Sequence, residues 1–96
     1  MKLLISKLAR DDLKEIRTYL SGFGEAPPKK FRESFEKFCI QAAEMPYSFG
    51  RYRHNQNYRR AVIAFDYLVF FQIEERGDTV KVCRVLHGKR NTEPHL

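Results

Sequence analysis

With 96 residues, 43% of them apolar and including 8 Phe and 5 Tyr, the chain is sized for one domain spanning 1–96. Its core needs no disulfide or metal staple. The formal charge of +6 points to an anionic partner, nucleic acid or an acidic protein segment, or else to a basic surface kept for solubility. No apolar run approaches the roughly 18 residues of a membrane helix, and Met1-Lys2-Leu3-Leu4-Ile5 is too short for a signal peptide, so a soluble, cytoplasmic protein without a membrane role is expected.

Lys2 to Ser6 reads as a short first strand. Ser6 is placed to cap a helix, its hydroxyl accepting from the free amides of the first turn, and Asp11 and Asp12 suit that helix's positive end. Leu13, Ile16, Leu20 and Phe23 recur at three- and four-residue steps and predict one buried stripe, ended by Gly22 and Gly24. Pro27-Pro28 open a second helix, where a missing amide is harmless. Phe31, Phe35, Phe38, Ala42 and Met45 share one of its faces, and Pro46 stops it. That phenylalanine row could line a ligand pocket, but it reads first as core. Two amphipathic helices joined by a short loop form a hairpin that must bury its stripes on a sheet.

The sheet follows a loop over 46–57. Three strands are expected, near 58–64, 67–74 and 79–87, with turns at Phe65-Asp66 and Arg76-Gly77-Asp78. Leu68 to Ile73 is apolar at alternate and intervening positions alike, which marks the middle strand as central. The fold class is therefore α+β: an N-terminal strand, then an antiparallel helical hairpin on one face of an antiparallel sheet, in the order β-α-α-β-β-β. Cys39 and Cys83 fall in a helix and a strand and read as buried, reduced thiols.

Two stretches carry polar chemistry. Between Glu44 and Asp66 stand four arginines, Arg51, Arg53, Arg59 and Arg60, and no acid. Residues 47–96 carry nine Lys/Arg against five Asp/Glu, a net of +4. Tyrosines and amides interleave with these arginines, a composition that suits single-stranded RNA. It equally suits a partner's carboxylates, or a solvated loop whose tyrosines anchor it. The second stretch closes the last strand: Arg84, His87, Lys89 and Arg90 follow core residues, with Gly88 marking a bend or a close backbone approach. Metal-free RNA cleavage needs a base, an acid and cations on the phosphorane. Histidine titrates near neutrality and can take either proton role. Arg60, Tyr67, Arg84, His87 and Arg90 would be the catalytic set if the sheet joins them. Alternatively His87 closes the strand by hydrogen bonding and Arg84 pairs with an acid such as Glu74. The three histidines (His54, His87, His95) lack ligand spacing, and no phosphate-binding glycine loop or dinucleotide fingerprint occurs, so neither metal nor cofactor is expected.

The ending Arg84-Val85-Leu86-His87-Gly88, then Lys89, Arg90 and Asn91, resembles the C-terminal signature of ParE-type toxins in the RelE/ParE toxin–antitoxin superfamily. Ser6-Lys7-Leu8-Ala9-Arg10-Asp11-Asp12-Leu13 is similar to that family's strand-to-helix junction, and Pro46 to Gly50-Arg51 to its P-x-x-x-G loop. Arg59-Arg60 with Tyr67 to Phe71 is similar to its arginine followed by a Y-x-x-F-Y strand. Asn91 stands where Asp is usual and Phe71 where Tyr is frequent, which puts the cellular target in doubt more than the fold.

The resemblance implies a RelE/ParE-like fold and the toxin component of a bacterial type II system, causing growth arrest. ParE-like members are implied to inhibit DNA gyrase by protein–protein binding, with no catalytic residues of their own. Arg84, His87, Lys89 and Arg90 would then contact the target. A ParD-like or other acidic antitoxin would bind Arg51, Arg53, Arg59 and Arg60 in a hetero-oligomer. RelE-like members are implied to cut mRNA on the ribosome as metal-independent endoribonucleases. A third possibility is an inactive member acting only in antitoxin binding and autoregulation.

Overall fold

The computed structural model describes residues 1–89, and their elements follow the expected order. They are β1 (Lys2–Ile5), α1 (Lys7–Ser21), α2 (Ala26–Glu44), β2 (Arg59–Ile63), β3 (Tyr67–Glu74) and β4 (Thr79–His87). Single 3₁₀ turns lie at Pro46–Ser48 and Ala64–Asp66. The sheet order is β1-β4-β3-β2. Consecutive strands β2, β3 and β4 pair antiparallel, as short turns allow. β1 instead lies parallel to β4, Lys2 opposite Thr79 and Ile5 opposite Val82, so the sheet is mixed. A parallel neighbour requires a long crossover, and the two helices supply it.

Both helices pack on the same sheet face. Ser6 caps α1 as expected, accepting from the Ala9 amide at 3.1 Å. Its hydroxyl also donates to the Cys83 carbonyl of β4 at 3.0 Å, so the cap ties helix to sheet. From α2, Phe38 meets Phe71 of β3 with ring centroids 5.5 Å apart, and Phe49 completes an edge-on cluster with both. Phe31, Phe35, Phe38 and Ala42 are buried. The phenylalanine row is core, not a ligand pocket.

Two expected stripe members are not in it. Phe23 is 66% and Met45 58% exposed, because α1 ends at Ser21 and α2 at Glu44, before either residue turns inward. β3 is central as its apolar run implies. Phe71 faces the helices, while Phe70 is buried on the opposite face beneath the Tyr52 ring at 5.0 Å.

The β2–β3 turn is held from two sides. Phe65 and Asp66 both adopt left-handed backbone, φ 61° and 62°, a region non-glycine residues enter at a cost. The Ala64 amide donates to Ser34 Oγ of α2 at 3.0 Å, and the Gly88 amide donates to the Asp66 carbonyl at 2.9 Å. A Cβ on Gly88 would lie 3.1 Å from that carbonyl oxygen. Glycine suits this close approach, as the strand pattern suggested, because a side chain would press on the Asp66 backbone.

Cys39 and Cys83 are free and half-buried. Burial, aided by the nearby Glu36 charge, pushes the Cys39 thiol up to about 11, and burial also raises Cys83. A thiol that holds its proton more tightly when folded stabilises the fold below its unfolded value and stops doing so as pH rises through its folded value. Stability should therefore decline between pH 9 and about 11. Chemical denaturation of Cys39→Ala across that window should show a shallower decline than the unaltered chain.

Candidate functional site

Two neighbourhoods hold the polar residues singled out in the sequence. The first surrounds the end of β4. Tyr67 of β3 pairs in register with His87, their rings edge-on at 5.0 Å. Together with Asp12, Glu15 and Tyr19 of α1 and with Arg84, they line a slot of about 270 Å³. Three of the five ribonuclease-type candidates thus share one recess. Arg60 does not line it. It sits on β2 in the cross-strand row Arg60–Phe70–Arg84, two strands from Arg84. Arg90 lies outside the described residues.

Arg84 meets a carboxylate, that of Asp12 rather than Glu74. Its Nε donates to Asp12 Oδ2 at 2.8 Å and its second guanidinium nitrogen to Oδ1 at 2.9 Å. Asp12 Oδ2 also accepts the Val85 amide at 3.0 Å. The arrangement follows from the sheet edge. β1 ends at Ile5, and beyond it the exposed edge of β4 is satisfied by α1, first by Ser6 and then by Asp12. Hydrogen bonds donated to Asp12 hold the Arg84 guanidinium above its ordinary pKa, against the effect of burial. Asp12 is therefore a buried strap, not a helix-dipole residue. The signal was present: Ala9, Asp12, Ile16 and Leu20 are α1's buried residues, and a carboxylate on an apolar stripe needs a partner.

His87 is held differently. Its Nδ1 accepts the Lys89 amide at 3.2 Å. An amide N–H only donates, so Nδ1 is the acceptor in this contact. Its ring meets the Tyr67 ring and that amide, and among the described residues no carboxylate is hydrogen-bonded to orient it. Lys89 projects into solvent, its side chain 80% exposed, with only a 3.9 Å contact to Asp66.

The second neighbourhood is the 46–60 loop. Tyr52 is 7% exposed, packed on Phe70 and against His54. It anchors the loop and is no platform for a base. Arg59 donates to the Phe49 carbonyl at 2.6 Å and lies 5.1 Å over the Tyr47 ring, whose hydroxyl donates to Glu75 at 2.7 Å. That bond to Glu75 is the main reason the Tyr47 hydroxyl is held above its usual pKa. Arg51 bridges Arg59 across an isolated antiparallel pair. Arg53 and Arg60 are exposed. All four expected antitoxin-binding arginines therefore lie on or beside the β2 edge. Among the described residues no cluster of His, Cys, Asp and Glu is placed to hold a metal ion, and no helix is long and apolar enough to cross a membrane.

The chain matches, over residues 3–92, the family described as ParE toxin of type II toxin-antitoxin system, parDE. A search of curated proteins finds no match. Among solved structures, the chromosomal ParDE toxin–antitoxin system from P. aeruginosa aligns with TM-score 0.73 at 15% identity, covering 91% of this chain and 95% of the other. The intact E. coli RelBE complex aligns with TM-score 0.63 at 21% identity over 93% and 98%. The RelBE2 complex from Mycobacterium tuberculosis gives TM-score 0.57 at 19% over 90% and 95%. At these identities the structures speak for the fold.

Proposed function

Because this chain belongs to the ParE toxin family of type II toxin–antitoxin systems, we propose that it arrests growth by binding DNA gyrase through the end of β4 and is neutralised by an acidic antitoxin. The observation that carries the target reading is the His87 geometry. A general acid or base is useful when its proton can move and its ring is oriented for transfer. Here Nδ1 is tied to the Lys89 amide, and the nearby carboxylate of Asp12 is taken by Arg84 and Val85. What the strand end offers outward among the described residues is charge, chiefly that of Lys89. Plasmid DNA taken from cells early in arrest should be relaxed while bulk mRNA stays intact. Cut mRNA with normal supercoiling would overturn the reading.

A RelE-like second reading rests on Tyr67, Arg84 and His87 lining one slot. It would need Arg60, which does not line that recess, to act from outside it.

For the antitoxin, the net +4 of residues 47–96 and the acid-free run between Glu44 and Asp66 favour the loop and β2 edge. Desolvated Arg–carboxylate pairs give such complexes orientation and fast encounter. Replacing Arg51, Arg53, Arg59 and Arg60 together by Ala should weaken binding of the cognate antitoxin by about 100-fold or more, measured by titration calorimetry. Unchanged affinity would move the interface to the groove between α1 and α2. There Leu13, Phe31 and Phe35 are rimmed by Arg10, Lys14 and Arg17 around about 540 Å³.

A further inference from the structure

Arg51 and Arg59 stand directly opposite each other as Cα partners in an antiparallel bridge. Like charges so placed repel unless an anion sits between them. Both line a polar pocket of about 210 Å³ together with Tyr47, Gln56, Asn57 and Glu75. Neither arginine forms an ion pair among the described residues. Arg59 spends one nitrogen on the Phe49 carbonyl, while the Arg51 guanidinium and the side-chain amides of Gln56 and Asn57 make no hydrogen bond within the described protein. Glu75 is engaged by the Tyr47 hydroxyl. Two guanidinium groups against one carboxylate leave a single positive charge, fixed by the bridge, the Phe49 carbonyl and the Tyr47 ring.

We propose that this pocket receives one side-chain carboxylate of the acidic antitoxin segment, with Arg51 and Arg59 as the charged pair and the Gln56 and Asn57 amides as further donors. The assignment rests on the antitoxin reading above and gives it a defined receptor. A planar carboxylate accepts two parallel N–H bonds from a guanidinium fork. Stacking surface is scarce here, since Tyr52 is buried under His54 and on Phe70, and Arg59 covers one face of Tyr47. A nucleic acid would find the charge here with few of the aromatic faces that single strands use.

The test uses the full chain and, as probe, N-acetylglutamate methylamide, which carries one side-chain carboxylate. In ¹H–¹⁵N spectra it should produce saturable shifts at the Arg51 Nε–H and the Gln56 and Asn57 side-chain amides. N-acetylglutamine methylamide should produce none, and Arg51→Gln should abolish the response. Shifts scattered over the basic surface, or surviving in Arg51→Gln, overturn the site. So does a diuridine phosphodiester that binds the same resonances more tightly. Arg51→Gln should also weaken binding of the cognate antitoxin about 30-fold or more, while the free chain's Tm holds or rises as the opposed charges are relieved. Full affinity in that variant sinks the pocket but leaves the antitoxin reading standing. If instead the unaltered chain binds no antitoxin, that reading fails and the probe titration still decides the pocket.

Discussion

Cells making the His87→Gln variant without an antitoxin are expected to stop growing much as they do with the unaltered chain. Cells making Lys89→Glu with Arg90→Glu are expected to grow. Glutamine keeps a polar side chain of similar reach but has no proton to exchange near neutrality. A nuclease using His87 as acid or base would lose on the order of 10²–10⁴ in rate, enough to remove toxicity at modest expression. A docking surface would lose little, since Nδ1 is already satisfied by the Lys89 amide at 3.2 Å. The double reversal changes the local charge by four units, and of the two positions the described one, Lys89, is 80% exposed and only loosely near Asp66. Retained toxicity in the reversal, together with its loss in His87→Gln, would replace the gyrase reading with the mRNA-cleaving one.

Asp12→Ala should lower stability by about 3 kcal/mol, because removing one partner strands the other charge in a largely buried setting. Asp12 and Arg84 side chains are only 10% and 23% exposed. The substitution deletes the bidentate pair and also leaves the Val85 amide at the β4 edge unsatisfied. For a domain this size the midpoint of thermal unfolding should fall by roughly 12 °C or more. Asp12→Asn keeps an acceptor for the Val85 amide and should cost about half as much, which separates the amide bond from the charge. The Arg84 contribution has a simple pH dependence. A folded pKa raised above the ordinary arginine value is lost only as pH climbs through that range. The Arg84 protonation state therefore contributes no pH dependence between pH 6 and 9, and a loss at Asp12→Ala no larger than at an exposed site such as Asp11→Ala would sink this account.

The strands β3 and β4 were legible because an eight- to nine-residue stretch rich in apolar and β-branched residues, bounded by glycine and charged turns, has few other solutions. The phenylalanine row of α2 and the cap at Ser6 were legible for similar local reasons. The parallel seat of β1 was not, since a four-residue strand carries no information about which neighbour it joins. Phe23 and Met45 were misplaced because periodicity continues past the point where glycine and proline end a helix. At the site, sequence put Arg84 and His87 together by proximity in the chain. It missed that Asp12 belongs to Arg84, a contact across 72 residues. Nor could it tell that Tyr52 is buried while its arginine neighbours are exposed, because only the sheet's second face decides which loop side chains turn inward. The opposition of Arg51 and Arg59 likewise exists only once the loop folds back on β2.

The central claim, gyrase inhibition by protein contact, is tested most directly by supercoiling of relaxed plasmid by purified DNA gyrase, with ribosome-dependent mRNA cleavage run beside it. Added toxin should suppress supercoiling in proportion to its concentration, cognate antitoxin should restore it, and mRNA on the ribosome should stay whole. Undiminished supercoiling alongside cut mRNA would contradict the claim.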